Sequence, residues 1–139
     1  MTSKPLWENA EPIVSAVRQL LLDGKILPYE PNAYGWQGVG VEMQIFIEDL
    51  KAEIERKEFK VEKCFVFHFN IGRTLDNPSE RLLIFPLRGL SDVRPGAPLE
   101  TGTYWFISDK RALVPRQPCG VDVIIAVGEK RTEATTTIM

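Results

Sequence analysis

The sequence is poor in the residue types that carry most catalytic and metal chemistry. Its 139 residues include one histidine, His68, and two cysteines, Cys64 and Cys119. A zinc site needs three or four Cys, His or carboxylate ligands at close spacing, and two cysteines do not make a disulfide framework. We therefore predict no metal site, no cofactor and two free, buried thiols.

The chain also lacks a strong excess of charge and a long apolar run. Its formal net charge of −2 gives no positive field that would attract nucleic acid or an anionic membrane. No segment approaches the roughly 18 apolar residues of a membrane span, and the first residues lack the apolar run of a secretory signal. These absences predict a soluble, cytoplasmic protein that binds neither nucleic acid nor membranes.

Two stretches resemble functional motifs but have simpler explanations. The three glycines in residues 35–40 do not have the spacing of a nucleotide-binding loop, so we interpret them as turn residues. The acids between Glu48 and Glu55 could hold calcium or magnesium. Such a run is more often the solvated face of a helix, with pairs such as Glu53–Lys57.

Helical patterns occupy the N-terminal part of the chain. Apolar residues recur at helical spacing from Ile13 to Leu21, between Pro12, which a first turn tolerates, and Gly24, a typical stop. This pattern predicts a helix over residues 10–23.

A second helix is predicted over residues 41–57, where the charged run has high helix propensity. The alternative is a strand that reaches Ile47 and is followed by a shorter helix. Between the two helices, residues 25–40 combine prolines and glycines with Tyr29, Tyr34 and Trp36. That composition predicts an ordered aromatic loop.

From Glu58 onward the apolar periodicity changes from 3.6 to 2 residues. Pro86 cannot donate to a β-ladder, so its strand should meet an edge or a bulge there. We predict an α+β fold, with two N-terminal helices packed on a predominantly antiparallel sheet of four to six strands. It should form a single domain over residues 1–128, followed by a flexible tail over residues 129–139. The predicted strands are residues 59–71, 81–87, 103–108 and 121–127.

The strand CFVFHFNI, which starts at Cys64, contains the single histidine. Successive side chains on a strand point to opposite faces, so Phe65, Phe67 and Phe69 share one face. Burial of three phenylalanines is worth several kcal/mol, which predicts that this face is the core. His68 should then point away from the core, toward solvent, a groove or a partner.

From Phe65 to Val127 the order of landmarks resembles an uncharacterised bacterial domain found beside caspase-like, protein-kinase and tetratricopeptide-repeat modules. The landmarks are the segments FVFHFNI, LLIFP, RPGAPL, YWFI and PCGVDVIIAV. The resemblance implies a β-sandwich with an accessory role, and it carries no assigned active site.

Aromatic and basic residues supply a candidate binding surface. Tyr and Trp are enriched at interface hot spots, and rim charges steer association. Together with the missing catalytic motifs, this favours a non-enzymatic accessory, adaptor or immunity-type domain that binds a protein partner, with self-association left open. The candidate partner-binding residues are Tyr34, Trp36, Tyr104, Trp105, Arg111 and Arg116, with one of Tyr104 and Trp105 facing outward.

The alternative is a small hydrolase or a small-molecule-binding protein built around His68. Histidine is the side chain best suited to general-base chemistry near neutral pH. Its possible partners on the predicted sheet are Cys119, Ser108 and Asp122. No motif links these residues, so the non-enzymatic interpretation is preferred.

Overall fold

The computed structural model describes residues 3–116, 118 and 120–130. Most of the predicted tail, from residue 131 onward, therefore lies outside the described residues, as does Cys119. The helices in the described part are α1 (Glu11–Leu22) and α2 (Val41–Lys57). The strands are β1 (Ser3–Pro5), β2 (Leu27–Tyr29), β3 (Gly35–Val39), β4 (Val61–Phe69), β5 (Arg73–Thr74), β6 (Leu82–Arg88), β7 (Ser91–Arg94), β8 (Thr103–Ile107), β9 (Ala112–Pro115) and β10 (Val121–Gly128).

Both predicted helices are confirmed. α1 has Pro12 in its first turn, where the missing N–H removes no helical hydrogen bond, and Gly24 follows it with φ +72°. α2 covers the whole predicted range, so the alternative with a strand to Ile47 is wrong. Its buried stripe has the spacing of four, three and four residues expected of one helix face. The stripe consists of Met43, Ile47, Leu50 and Ile54.

The segment between the helices, which we predicted to be a loop, is a β-hairpin of β2 and β3. Pro28 in β2 pairs with Gly38 in β3, and β2 is an edge strand, where proline is tolerated. Gly38 lacks a side chain because the space is filled: a Cβ there would lie 2.7 Å from Ile26 and 3.2 Å from Val66. Proline and glycine are uncommon in strands, so the sequence indicated a loop here, although both residues fit their positions in the hairpin.

The strands form two sheets. A seven-stranded sheet has the order β1-β8-β6-β10-β4-β3-β2, and a three-stranded sheet has the order β5-β9-β7. Every strand pairing in the described part is antiparallel. The α+β class and the antiparallel sheet are therefore confirmed. The large sheet exceeds the predicted four to six strands, and β1, β2 and β3 precede or separate the helices.

Pro86 marks an irregularity in β6, as predicted. Val123 of β10 pairs with Pro86, whereas the preceding Asp122 pairs with Arg88, so the register shifts between these two pairs. A residue without an N–H fits such a bulge, because the ladder is already interrupted there. The bulge brings Arg88 opposite Asp122.

Both faces of the large sheet carry a packed layer. The helices cover the face that carries Val66 and Ile124, and the three-stranded sheet covers the face that carries Val123 and Ile125. The expectation that the phenylalanine face alone is the core was therefore wrong. β6 and β10 are apolar along most of their length because both of their faces need apolar side chains.

The packing of α2 can be tested with two leucine substitutions. Leu50→Ala should lower the free energy of unfolding by about 2–5 kcal/mol, because Leu50 is completely buried in the core on the helix side of the large sheet. The matched control Leu22→Ala, at an exposed position near the end of α1, should change it by about 0.5 kcal/mol or less. Urea unfolding followed by circular dichroism measures both, and equal losses would contradict this packing.

Candidate functional site

Four side chains form a transverse row across neighbouring strands of the large sheet. Trp36 of β3 lies opposite His68 of β4, and His68 lies opposite Asp122 of β10. Asp122 in turn lies opposite Arg88 of β6. We call these four residues the polar row.

Direct contacts join the members of the polar row. The Trp36 ring stacks on the His68 ring, with centroids 4.1 Å apart and planes 9° from parallel. His68 Nδ1 lies 2.8 Å from Asp122 Oδ1, and Arg88 Nε donates to Asp122 Oδ2 at 3.1 Å. Both oxygens of this buried carboxylate thus have a partner, as a buried charge requires.

The geometry makes His68 Nδ1 the hydrogen-bond donor to Asp122 Oδ1, because a carboxylate only accepts hydrogen bonds. The other ring nitrogen, Nε2, is then the one that a general base would use. An aspartate and a histidine arranged in this way are two of the three members of a hydrolase triad.

The surroundings of His68 close it off. The side chain is only 7% exposed, so the expectation that it points to solvent, a groove or a partner was wrong. A Cβ on Gly120 would lie 2.6 Å from His68 Nε2, and a Cβ on Gly35 would lie 1.7 Å from the His68 carbonyl oxygen. The nitrogen that a general base would use faces the backbone at Gly120, so the geometry favours a structural role for the histidine.

Of the partners proposed for His68, the structure brings Asp122 to it. Cys119 lies outside the described residues. Cys64 precedes His68 by four residues on β4 and is a free thiol. Its burial and the nearby Glu48 charge raise the pKa of this thiol to about 12. A thiol of this kind is protonated at neutral pH and is a poor nucleophile.

The predicted anchors Tyr104 and Trp105 are both buried. Tyr104 packs edge-on against Trp7 at 5.1 Å on the helix side, and its hydroxyl donates to Glu58 at 3.2 Å. Trp105 lies in the core on the other face. The expectation that one of the two rings faces outward was wrong, because β8 is covered on both sides.

The other predicted binding residues keep some exposure. Tyr34 is exposed, and the Arg73 guanidinium lies 5.5 Å from its ring centre. Trp36 is half-buried in β3 instead of standing free on a loop, because one face of its ring is occupied by His68. Arg111 is paired with Asp109, and Arg116 is paired with Asp92.

Arg111 and Arg116 favour the ionised form of the aspartates with which they pair. The neighbouring guanidinium groups keep the pKa of Asp92 and of Asp109 below the usual range, mainly through side-chain hydrogen bonds. Arg111 and Arg116 are therefore already engaged within the chain. As surface pairs, they contribute little to stability.

The phenylalanine face is covered unequally, a feature that the sequence did not reveal. A line of paired residues crosses this face from Tyr29 at the sheet edge through Gln37 and Phe67 to Val123. Tyr29 and Gln37 are exposed, Phe67 is half-buried and Val123 is buried, as are Ile84 and Trp105 further along the face. The three-stranded sheet therefore covers the part of the face formed by β10, β6 and β8, and leaves β4, β3 and β2 partly open.

A groove lies between β4 and the edge of the three-stranded sheet at β5. Its floor is formed by Phe65, Phe67 and Phe69, whose neighbouring ring centres are 6.4 Å and 4.7 Å apart. Its cavity volume is about 230 Å³. We call it the phenylalanine groove. Charged residues of both signs line it, namely Glu62, Lys63, Arg73 and Asp76.

The described residues contain no cluster of three or more side chains suited to hold a metal ion. The acidic run of α2 is not wholly solvated as we expected. Glu53 is buried, accepts a hydrogen bond from Trp7 Nε1 at 3.2 Å and pairs with Arg56. Lys57, its predicted partner, lies over the Trp7 ring.

Neither helix of the described part is long and apolar enough to cross a membrane.

Substitutions at His68 separate a structural role from a catalytic one. His68→Ala should lower the free energy of unfolding by about 1–3 kcal/mol, because the buried Asp122 Oδ1 loses its donor. His68→Asn retains a donor near the Nδ1 position and should lose less. Thermal and urea unfolding measure both variants. Unchanged stability of His68→Ala, together with loss of a hydrolytic activity, would instead support the enzymatic alternative.

The close packing at Gly120 can be tested against a glycine of similar backbone geometry. Gly120 and Gly102 have φ of +82° and +84°, but a Cβ on Gly102 would meet nothing within 4 Å. Gly102→Ala should therefore cost only backbone strain, about 1–2 kcal/mol. Gly120→Ala should cost clearly more, because its Cβ would lie 2.3 Å from the Phe69 carbonyl oxygen. Equal losses in urea unfolding would show that the row is loosely packed.

No protein-family model matches the sequence, and no curated protein is significantly similar to it. Among solved structures, a Pseudomonas putida prolyl-4-hydroxylase is similar over 94% of this chain and 92% of its own, at 7% sequence identity and a TM-score of 0.48. A similarity of that size identifies neither a shared fold nor a shared activity.

Proposed function

We propose that this chain is a non-enzymatic interaction domain, of an accessory, adaptor or immunity type, that binds a protein partner at the phenylalanine groove. The observation that carries the proposal is the unequal cover of the phenylalanine face. Phe65 and Phe67 lie on the same face as fully buried residues of β6 and β10, yet they remain half-buried. Exposed apolar surface next to a fully buried core is typical of a binding site.

The size of the groove favours a protein side chain over a small-molecule ligand. Pockets for drug-sized ligands usually have volumes of about 300–1,000 Å³, and the phenylalanine groove has about 230 Å³. One or two apolar side chains of a partner would fit that space. Aliphatic or aromatic anchors inserted into such a groove typically supply most of the binding energy of an interface.

The rim of the groove would orient the partner. Lys63 and Arg73 stand beside Glu62 and Asp76, so the rim has no net charge that would select a strongly acidic or basic partner. Tyr34 adjoins the groove through its contact with Arg73, and it remains a candidate contact residue. A polar rim around an apolar floor is the usual anatomy of a protein interface.

The polar row supports the enzymatic alternative less well. A general base must reach its substrate, directly or through one water molecule. His68 Nε2 faces Gly120 instead, and Trp36 covers one side of the ring. We therefore assign His68 a structural role and place partner binding on the opposite face of the sheet.

The proposal can be tested with Phe67→Asp, which places a charge on the groove floor. Wild-type protein and the variant are used in parallel to capture proteins from cells of the source organism. The specific partner should be retained by wild type and lost with Phe67→Asp. In calorimetry with the purified partner, the affinity should fall by about thirtyfold or more, because a buried anchor typically contributes at least about 2 kcal/mol.

Leu90→Asp is the matched control, because Leu90 is an exposed apolar residue that does not line the groove. It should capture the partner as wild type does. The thermal stability of each variant is measured first, so that loss of binding is not confused with unfolding. A partner that binds Phe67→Asp as tightly as wild type would refute the proposed site.

A further inference from the structure

A second apolar surface lies at the edge of the large sheet, where β2 meets the start of α2. Leu27, Val41 and Ile45 line one open notch together with Val39. Val41 is 85% exposed, and Leu27 and Ile45 are each 60% exposed. We call these four residues the β2–α2 patch. It shares no lining residue with the phenylalanine groove.

The packing of the domain does not account for this patch. The stripe of α2 that contacts the sheet contains Met43 and Ile47. Val41 and Ile45 are four residues apart and therefore lie together on a different side of the helix. Charged residues usually occupy such positions, so contiguous exposed branched side chains indicate a surface that is covered by something else.

We propose that a second copy of this chain covers the β2–α2 patch in a twofold dimer. A twofold contact places the same surface of both copies against each other, so its rim must be able to pair with itself. The rim of this patch carries both signs of charge: Lys25 lies 3.7 Å from Glu42, and Glu48 lines the notch. Lys25 of one copy can therefore face an acid of the other, whereas a rim of one sign would repel itself.

The shape of the patch also suits a contact with itself. It combines a projecting side chain, Val41, with an open notch beside Leu27 and Ile45. In a twofold arrangement, Val41 of each copy can enter the notch of the other. Two such insertions occur at every contact, which doubles the apolar area that a single insertion would bury.

Pro28 disfavours a dimer in which the β2 strands of the two copies pair through their backbones. β2 is an edge strand, and edge strands can pair with a second chain through free backbone groups. Pro28 at the centre of β2 has no N–H to donate, which interrupts such pairing. In this dimer the contact is therefore made by side chains of β2 and α2.

Sedimentation velocity and equilibrium of the full chain, from micromolar to millimolar concentration, test the proposal. Wild type should associate reversibly into dimers. Val41→Glu and Ile45→Lys should each weaken dimerisation by about tenfold or more, because they place a charge in the desolvated centre of the contact. Both positions are exposed, so circular dichroism and the melting temperature at low concentration should remain those of the wild-type monomer.

Leu90→Glu is the matched control and should dimerise as wild type does, because Leu90 lies outside the patch. A wild-type chain that stays monomeric at millimolar concentration would overturn the proposal and leave the patch to a different protein. A dimer that persists unchanged in both Val41→Glu and Ile45→Lys would also overturn it. Phe67→Asp should dimerise normally, so failure of the dimer and failure of the phenylalanine groove are separate results.

Discussion

The double-sided burial of β10 determines the rest of the structure. Val123 and Ile125 face the three-stranded sheet, while Ile124 faces the helices. A strand of this kind is stable only if apolar layers cover both sides of it. The two helices supply one layer, and the small sheet supplies the other. Because β10 lies between β4 and β6, the same requirement extends to its neighbours, which explains why their apolar runs were easy to recognise in the sequence.

The two covering layers differ in extent, and this difference creates the open surfaces. The helices pack on one face of the large sheet, α2 against β4 and α1 against β6. The small sheet has three short strands and ends over β10. On its side, β4 remains partly open, and the hairpin carries exposed residues such as Leu27 and Tyr29. The phenylalanine groove is thus a consequence of a small layer packed on a larger one.

Long periodic segments could be predicted from the sequence, and short ones could not. α1, α2, β4, β6 and β10 show their pattern over enough residues to distinguish a period of 3.6 from a period of 2. β3 and β8 both have five residues, but the aromatic residues of β8 indicated a strand, whereas the glycines of β3 indicated a loop. β5 and β7 have two and four residues, too few to show any period. The alternation along β4 correctly placed Phe67 and His68 on opposite faces of the sheet. It could not predict which faces of the sheet are buried, because one face is covered by the short strands β5, β7 and β9. For the same reason, the burial of both Tyr104 and Trp105 could not be predicted.

The polar row also has a consequence for the register of the sheet. A buried ion pair adds little net stability, because desolvation offsets most of the attraction. Its effect on alternative pairings is larger. If β10 slipped by one residue against β4, Asp122 would turn to the apolar face that holds Val121 and Phe69, and its carboxylate would lose both His68 and Arg88. An unpaired buried carboxylate costs several kcal/mol, so the slipped sheet is strongly disfavoured. The single histidine of this chain therefore acts through the alignment of β3, β4, β10 and β6, which in turn holds the three phenylalanines on the face that bears the groove.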